Sequence, residues 1–186
     1  MRQSRRWRIL GVLAVVGGAL LVATTPAGAH VEIDPGSQPK GATVSFGFRV
    51  PNEEDNASTV RVDVQFPTDH PIANVLVQEK PGWTFTTQTR NLTTPIKTDD
   101  GTFSTAVTEV SWVSAGGQIT PGGFDLFTVF GGPLPKNTSQ LTFKALQTYS
   151  NGDVVRWIEL PTKGAPPPDH PAPVMRLTKA ATSNGG

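Results

Sequence analysis

The chain has 186 residues, 16 Lys and Arg against 15 Asp and Glu, three His, no Cys, and a formal net charge of +1. Its cations are scattered singly among acids and turns, which excludes the basic footprint of a nucleic-acid-binding domain. The lack of cysteine excludes a disulfide partner and any thiolate metal centre, so a hydrophobic core has to hold the fold.

Residues 1–29 read as a secretory signal peptide. Arg2, Arg5, Arg6 and Arg8 form the charged start, Ile9 to Ala23 the apolar run, and Ala27-Gly28-Ala29 an A-x-A cleavage site. The run is shorter than the about 20 apolar residues that a membrane span requires. The segment SRRWRIL also loosely resembles a twin-arginine signal, so the export route stays open between the two systems. Cleavage after Ala29 predicts an exported protein, in the cell envelope or secreted, that begins at His30. It carries twelve Lys and Arg against fifteen Asp and Glu, a net charge of −3.

From His30 onward the pattern has period two. Strands are expected at Thr43 to Val50, Thr59 to Phe66, Ala73 to Glu79, Trp83 to Thr89, Ser104 to Trp112, Phe124 to Phe130, Gln140 to Tyr149 and Val154 to Leu160. These alternate apolar and polar residues and are rich in β-branched and aromatic types. Turn clusters such as PNEEDN, KTDDG and SNGD separate them. About eight short strands without a helical period predict an all-β, antiparallel Greek-key sandwich, immunoglobulin- or fibronectin-like, over residues 30–161. Asn151-Gly152 predicts a tight hairpin between the last two strands. Residues 162–186 form a proline-rich extension in which PVMRL is expected as an edge strand, with a disordered end from Thr178.

Few residues carry chemistry. His70 lies in TDHP and His170 in PDHP, and no G-x-S-x-G elbow occurs, so a serine hydrolase is not supported. Both histidines read as solvated loop residues. Glu53-Glu54-Asp55, adjacent acids after a strand, read as a hydrated turn. Trp83 and Trp112 read as core. The sequons at Asn56, Asn91 and Asn137 matter only where the source glycosylates them.

His30 is different because cleavage would give it a free α-amino group, whose ordinary pKa of about 7.7–8.0 makes it a usable donor at neutral pH. The amine and the imidazole Nδ1 of one residue can close a six-membered chelate. Two nitrogens completed by carboxylate or water suit Cu(II) on geometry and on the Irving–Williams order. Cu(I) is disfavoured, since after cleavage Met175 is the only soft side chain left.

Five blocks in one order, AHVEIDP, FRVPNEEDNASTVRVDVQFP, PGWTF, EVSW with ITPGGFDLF, and LTFKALQTYSNGDVVRWIE, resemble the YcnI-like family (domain of unknown function 1775) of exported bacterial copper-binding proteins. The resemblance implies a β-sandwich that binds Cu(II) through a monohistidine brace. It places the histidine at His30, the carboxylate at Glu53 and a nearby tryptophan, not a firm ligand, at Trp157. Glu54 adjoins Glu53, so the carboxylate can slip by one. If the strand continued past Val50, alternation would let only one of the two reach the ion.

The reading is therefore a non-enzymatic exported Cu(II)-binding protein of copper storage, delivery or homeostasis. Its partners would be the copper ion and a membrane copper transporter or another envelope copper protein. Two alternatives stand beside it: a histidine-brace copper oxidase that recruits His70 or His170, and a metal-free immunoglobulin-like scaffolding or adhesion module.

Overall fold

The computed structural model describes residues 30–98 and 101–180. The signal-peptide reading and the end of the C-terminal tail lie outside the described residues. Twelve strands build the described chain, with no helix among them. They are β1 (Glu32–Asp34), β2 (Ser37–Pro39), β3 (Val44–Pro51), β4 (Thr59–Gln65), β5 (Asn74–Val77), β6 (Trp83–Thr98), β7 (Gly101–Ser114), β8 (Phe124–Gly132), β9 (Gln140–Thr142), β10 (Lys144–Tyr149), β11 (Val154–Trp157) and β12 (Val174–Thr178).

One sheet has the order β1-β3-β8-β5 and the facing one β11-β10-β4-β7-β6. Every pairing within these two sheets is antiparallel, and strands distant in sequence lie side by side, as β3 with β8 and β4 with β10. Their inner faces supply the core. Phe46, Phe48, Val50, Phe127 and Val129 come from the first sheet, and Val62, Val64, Val110, Trp112 and Ala145 from the second. Each of these Val and Phe side chains contributes roughly 1.5–3 kcal/mol on burial. Trp83 and Trp112 are core, both packed on Phe127 with ring centroids 4.9 and 5.3 Å away.

The expected hairpin joins β10 to β11, with Thr148 opposite Val154. Of the pair Asn151-Gly152 only the glycine takes a positive φ, 92°, and Tyr149 N–H closes the loop onto Asp153 O at 2.9 Å. β6 and β7 run well beyond the expected bounds as one long hairpin whose outer strand is mostly exposed.

A third sheet, β2-β12-β9, corrects the reading of the C-terminal extension. β12 lies in the middle of that sheet, parallel to β2 and antiparallel to β9. Proline density stops at Pro173, so from Val174 onward the backbone can donate to both sides: Arg176 N–H meets Gly36 O at 2.9 Å and Leu177 N–H meets Ser139 O at 2.8 Å. Met175 and Leu177 join the same apolar cluster as the sandwich, so the folded unit extends to Thr178.

Candidate metal site

His30 stands at the mouth of the sandwich because β1 holds it there. Val31 and Ile33 are buried, which fixes the direction in which the strand enters the core. Glu32 pairs with Arg49 of β3 and forms a 2.5 Å ion pair with its guanidinium. The His30 ring itself is exposed.

The neighbouring turn follows from Asn52. β3 ends at Pro51, and the buried Asn52 amide donates to Ala57 O and Ile119 O, both at 2.8 Å, while its Oδ1 accepts Glu54 N–H at 2.9 Å. Its backbone is tied to the segment before β8: Asn52 N–H donates to Gly123 O at 2.8 Å and Gly122 N–H donates to Asn52 O at 3.0 Å. A fully used amide of this kind pins a turn while leaving Glu53, Glu54 and Asp55 in solvent. His30, Glu53 and Glu54 line one cleft of about 490 Å³, together with Glu32, Asp55 and Arg49. Because the strand stops before Glu53, alternation does not separate the two glutamates, and both face the same space.

Trp157 forms a wall beside this cleft. It is the last residue of β11, opposite Ala145 of β10, and its ring meets the His30 ring edge-on with centroids 5.8 Å apart and planes at 65°. The indole N–H donates to Gln147 Oε1 at 3.0 Å. An indole N–H is a donor only, so Trp157 shapes the site without offering a nitrogen lone pair.

His170, read from sequence as a solvated loop residue, is tethered to the same wall. Its ring centroid lies 5.2 Å from that of Trp157, and its backbone N–H donates to Glu159 Oε2 at 3.2 Å. Glu159 N–H donates back to His170 O at 3.1 Å, although the imidazole remains 46% exposed. His70 is far away, in a second cleft of about 510 Å³ at the opposite end of β3. There Lys97 and Lys136 outnumber the one lining carboxylate, Asp69, so that cleft suits a cation less well than the His30 cleft does.

In the His30 cleft four carboxylates face one guanidinium, and Arg49 is already paired with Glu32. The excess negative charge suits a divalent cation. The acids are felt inside the fold as well: burial, then Glu54, then Glu53 push the buried Tyr149 hydroxyl up to about 12. Among the described residues no group of three or more His, Cys, Asp or Glu side chains is placed to hold a metal ion. The donors available to an ion are one imidazole and a choice of carboxylate, so a third protein donor has to come from outside that set. In the full-length chain the His30 nitrogen is a peptide amide, and only cleavage turns it into such a donor.

Two residues that organise the site are absent from the sequence reading. Asn52 is hidden in a run of acids that looks fully hydrated. Gln147 had a signal: it is the polar member of the inward row Ala145, Gln147, Tyr149.

The molecule is thus an immunoglobulin-like β-sandwich with an acidic, histidine-bearing cleft at one end. Residues 30–177 match the family described as Domain of unknown function (DUF1775), and the chain belongs to that family. It is 29% identical over 171 residues to the copper-binding protein CutI of Bacillus subtilis (strain 168), a match that covers 92% of this chain and 73% of CutI. It also resembles an uncharacterized protein from Nocardia farcinica, whose crystal structure is described as revealing an immunoglobulin-like fold. The TM-score is 0.65 with 32% sequence identity, covering 81% of this chain and 99% of the other.

Proposed function

We propose that the protein is exported, cut after Ala29, and holds Cu(II) at the new N-terminus as a non-enzymatic carrier of the cell envelope. The His30 amine and imidazole supply two nitrogens and Glu53 a carboxylate, while Trp157 closes one side. Copper is the cargo, stored or handed to a membrane copper transporter or another envelope copper protein. The observation that carries this reading is the convergence of the His30 imidazole and the Glu53 carboxylate on one cleft beside the Trp157 ring. The start of the family match at residue 30 and the copper-binding relative support it.

The test compares protein that begins at His30 with protein that retains one residue before it. Cu(II) affinity is measured by chelator competition and the coordination by electron paramagnetic resonance. Acylating the amine removes a donor and breaks the chelate, so the extended form should bind more weakly by more than the about 10–100-fold that loss of an outer-shell partner causes. Equal binding by both forms would overturn the brace. The packing of His170 on Trp157 favours a second reading, a copper oxidase with an additional imidazole. Turnover of a reductant with oxygen by the copper-loaded protein separates it from the carrier.

A further inference from the structure

Gln147 joins the Trp157 wall to the strand end that launches the Glu53 turn. It is fully buried, between Ala145 and Tyr149 on the inward row of β10. Its Oε1 accepts the Trp157 indole N–H at 3.0 Å, and its Nε2 donates to Pro51 O at 2.7 Å and to Thr59 Oγ1 at 2.8 Å. Both amide hydrogens are therefore used and the oxygen is occupied. The three partners lie on three strands: Trp157 ends β11, Thr59 begins β4, and Pro51 ends β3 of the facing sheet. The amide is a polar tie between the two sheets at the mouth of the sandwich.

Placing an amide in an apolar core is unfavourable unless each of its groups finds a partner, whereas an apolar side chain of the same size has no such requirement. What the amide adds is direction. With Nε1–H held by Oε1, the indole cannot swing away from His30 without leaving both groups unpaired. With Pro51 O held by Nε2, the turn two residues on is referred to the same point.

We propose that Gln147 is a positioning residue of the copper site, setting the Trp157 indole against His30 and fixing the spacing between that wall and the Glu53 turn. The assignment rests on the copper reading above. Gln147 touches no ligand of the ion and acts only through Trp157 and Pro51.

The experiment uses protein processed to His30 and two substitutions. Gln147→Met keeps the volume and removes all three hydrogen bonds. Gln147→Glu keeps the shape: its neutral carboxyl can accept from the indole and donate once, and its ionised form cannot donate. Cu(II) added as the sulfate is the probe. The readouts are affinity against a competing chelator, the electron paramagnetic resonance spectrum, and the indole N–H resonances of Trp83, Trp112 and Trp157. For Gln147→Met the two core indole signals should stay in place while that of Trp157 moves, the copper spectrum changes, and affinity falls about tenfold. For Gln147→Glu the affinity relative to the parent should be close to one while the carboxyl is neutral and fall as pH rises through its ionisation.

A lower melting temperature with parental affinity and an unchanged copper spectrum in Gln147→Met would overturn the assignment and leave Gln147 as core packing. Should Gln147→Met not fold, Gln147→Glu decides, and a pH-independent affinity ratio overturns it. A parent that fails to bind Cu(II) sinks the copper reading itself, whereas a binding parent matched by Gln147→Met sinks only the role of Gln147.

Discussion

The His30 and Trp157 rings meet edge to face at 5.8 Å, one from the exposed residue two before β1 and the other from the buried end of β11. β1, which His30 leads into, and β11 belong to opposite sheets, so this contact marks where the two sheets close on each other at the mouth of the sandwich. An ion held by His30 would have solvent on one side and indole on the other. Limiting the open coordination face in this way is the contribution a bulky aromatic can make without being a ligand.

Trp157 separates packing from siting. Truncation to alanine in a core costs about 3–5 kcal/mol, and Trp157 is nearly buried, so Trp157→Ala should fall within that range in urea unfolding. Trp157→Phe keeps most of the volume but leaves Gln147 Oε1 unpaired, an effect of about 1–3 kcal/mol. Both should weaken Cu(II) binding, with alanine the worse because it opens the cleft to water.

Glu53 and Glu54 can be told apart by amide substitution. Glu53→Gln should reduce Cu(II) affinity at least about tenfold, and Glu54→Gln far less. Both residues are exposed in a turn, so each variant should unfold within about 0.5 kcal/mol of the parent. The reverse order of affinities would move the carboxylate ligand by one position.

Asn52 is the structural hinge of the same turn. Asn52→Ala leaves Ala57 O without its donor and Glu54 N–H without its acceptor, while Ile119 O loses one donor and keeps Thr59 N–H at 2.9 Å, which should lower stability by about 2–4 kcal/mol. Asn52→Asp restores the acceptor but not the donors, so it should be destabilised as well, and more strongly once the carboxyl ionises. Urea unfolding across pH checks both.

Alternation exposed the two large sheets because eight of their strands have one face in the core and one in water. It failed where that condition failed. β1 and β2 span three residues each, too few to show a period, yet β1 is what places His30. The far part of β6 is mostly exposed on both faces, with only Leu92 and Ile96 as apolar residues, so its hairpin with β7 extends through residues that carry little pattern. The prolines before β12 predict an edge strand, but they end at Pro173, so β12 pairs on both sides. Within the candidate site, motif resemblance names His30, Glu53 and Trp157, and the structure sets the first two in one cleft with the Trp157 ring against His30. Gln147 shows in the sequence only as a polar residue in an inward row, and Asn52 does not show at all, because their importance lies in hydrogen bonds to groups such as Pro51 O, Thr59 Oγ1 and Ile119 O that local composition does not reveal.

Tyr149 offers a readout of the turn that needs no metal. It is the only tyrosine in the chain, so absorbance near the phenolate band titrates one group. Burial raises its hydroxyl to about 12, with Glu54 and then Glu53 adding to the effect. In the unfolded chain the group titrates at about 10. Between those values the unfolded state loses its proton while the folded state keeps it, so the unfolded state binds fewer protons and stability falls as pH rises. The contribution is therefore fully present below pH of about 10 and lost as pH passes through about 12. Tyr149→Phe should remove this component of the alkaline decline in melting temperature. Glu54→Gln should lower the phenol midpoint more than Glu53→Gln, since Glu54 exerts the larger of the two electrostatic effects. Equal midpoints in the parent and both variants would mean that the carboxylates do not lean toward Tyr149. The turn that brings Glu53 to the His30 cleft would then have to be drawn differently.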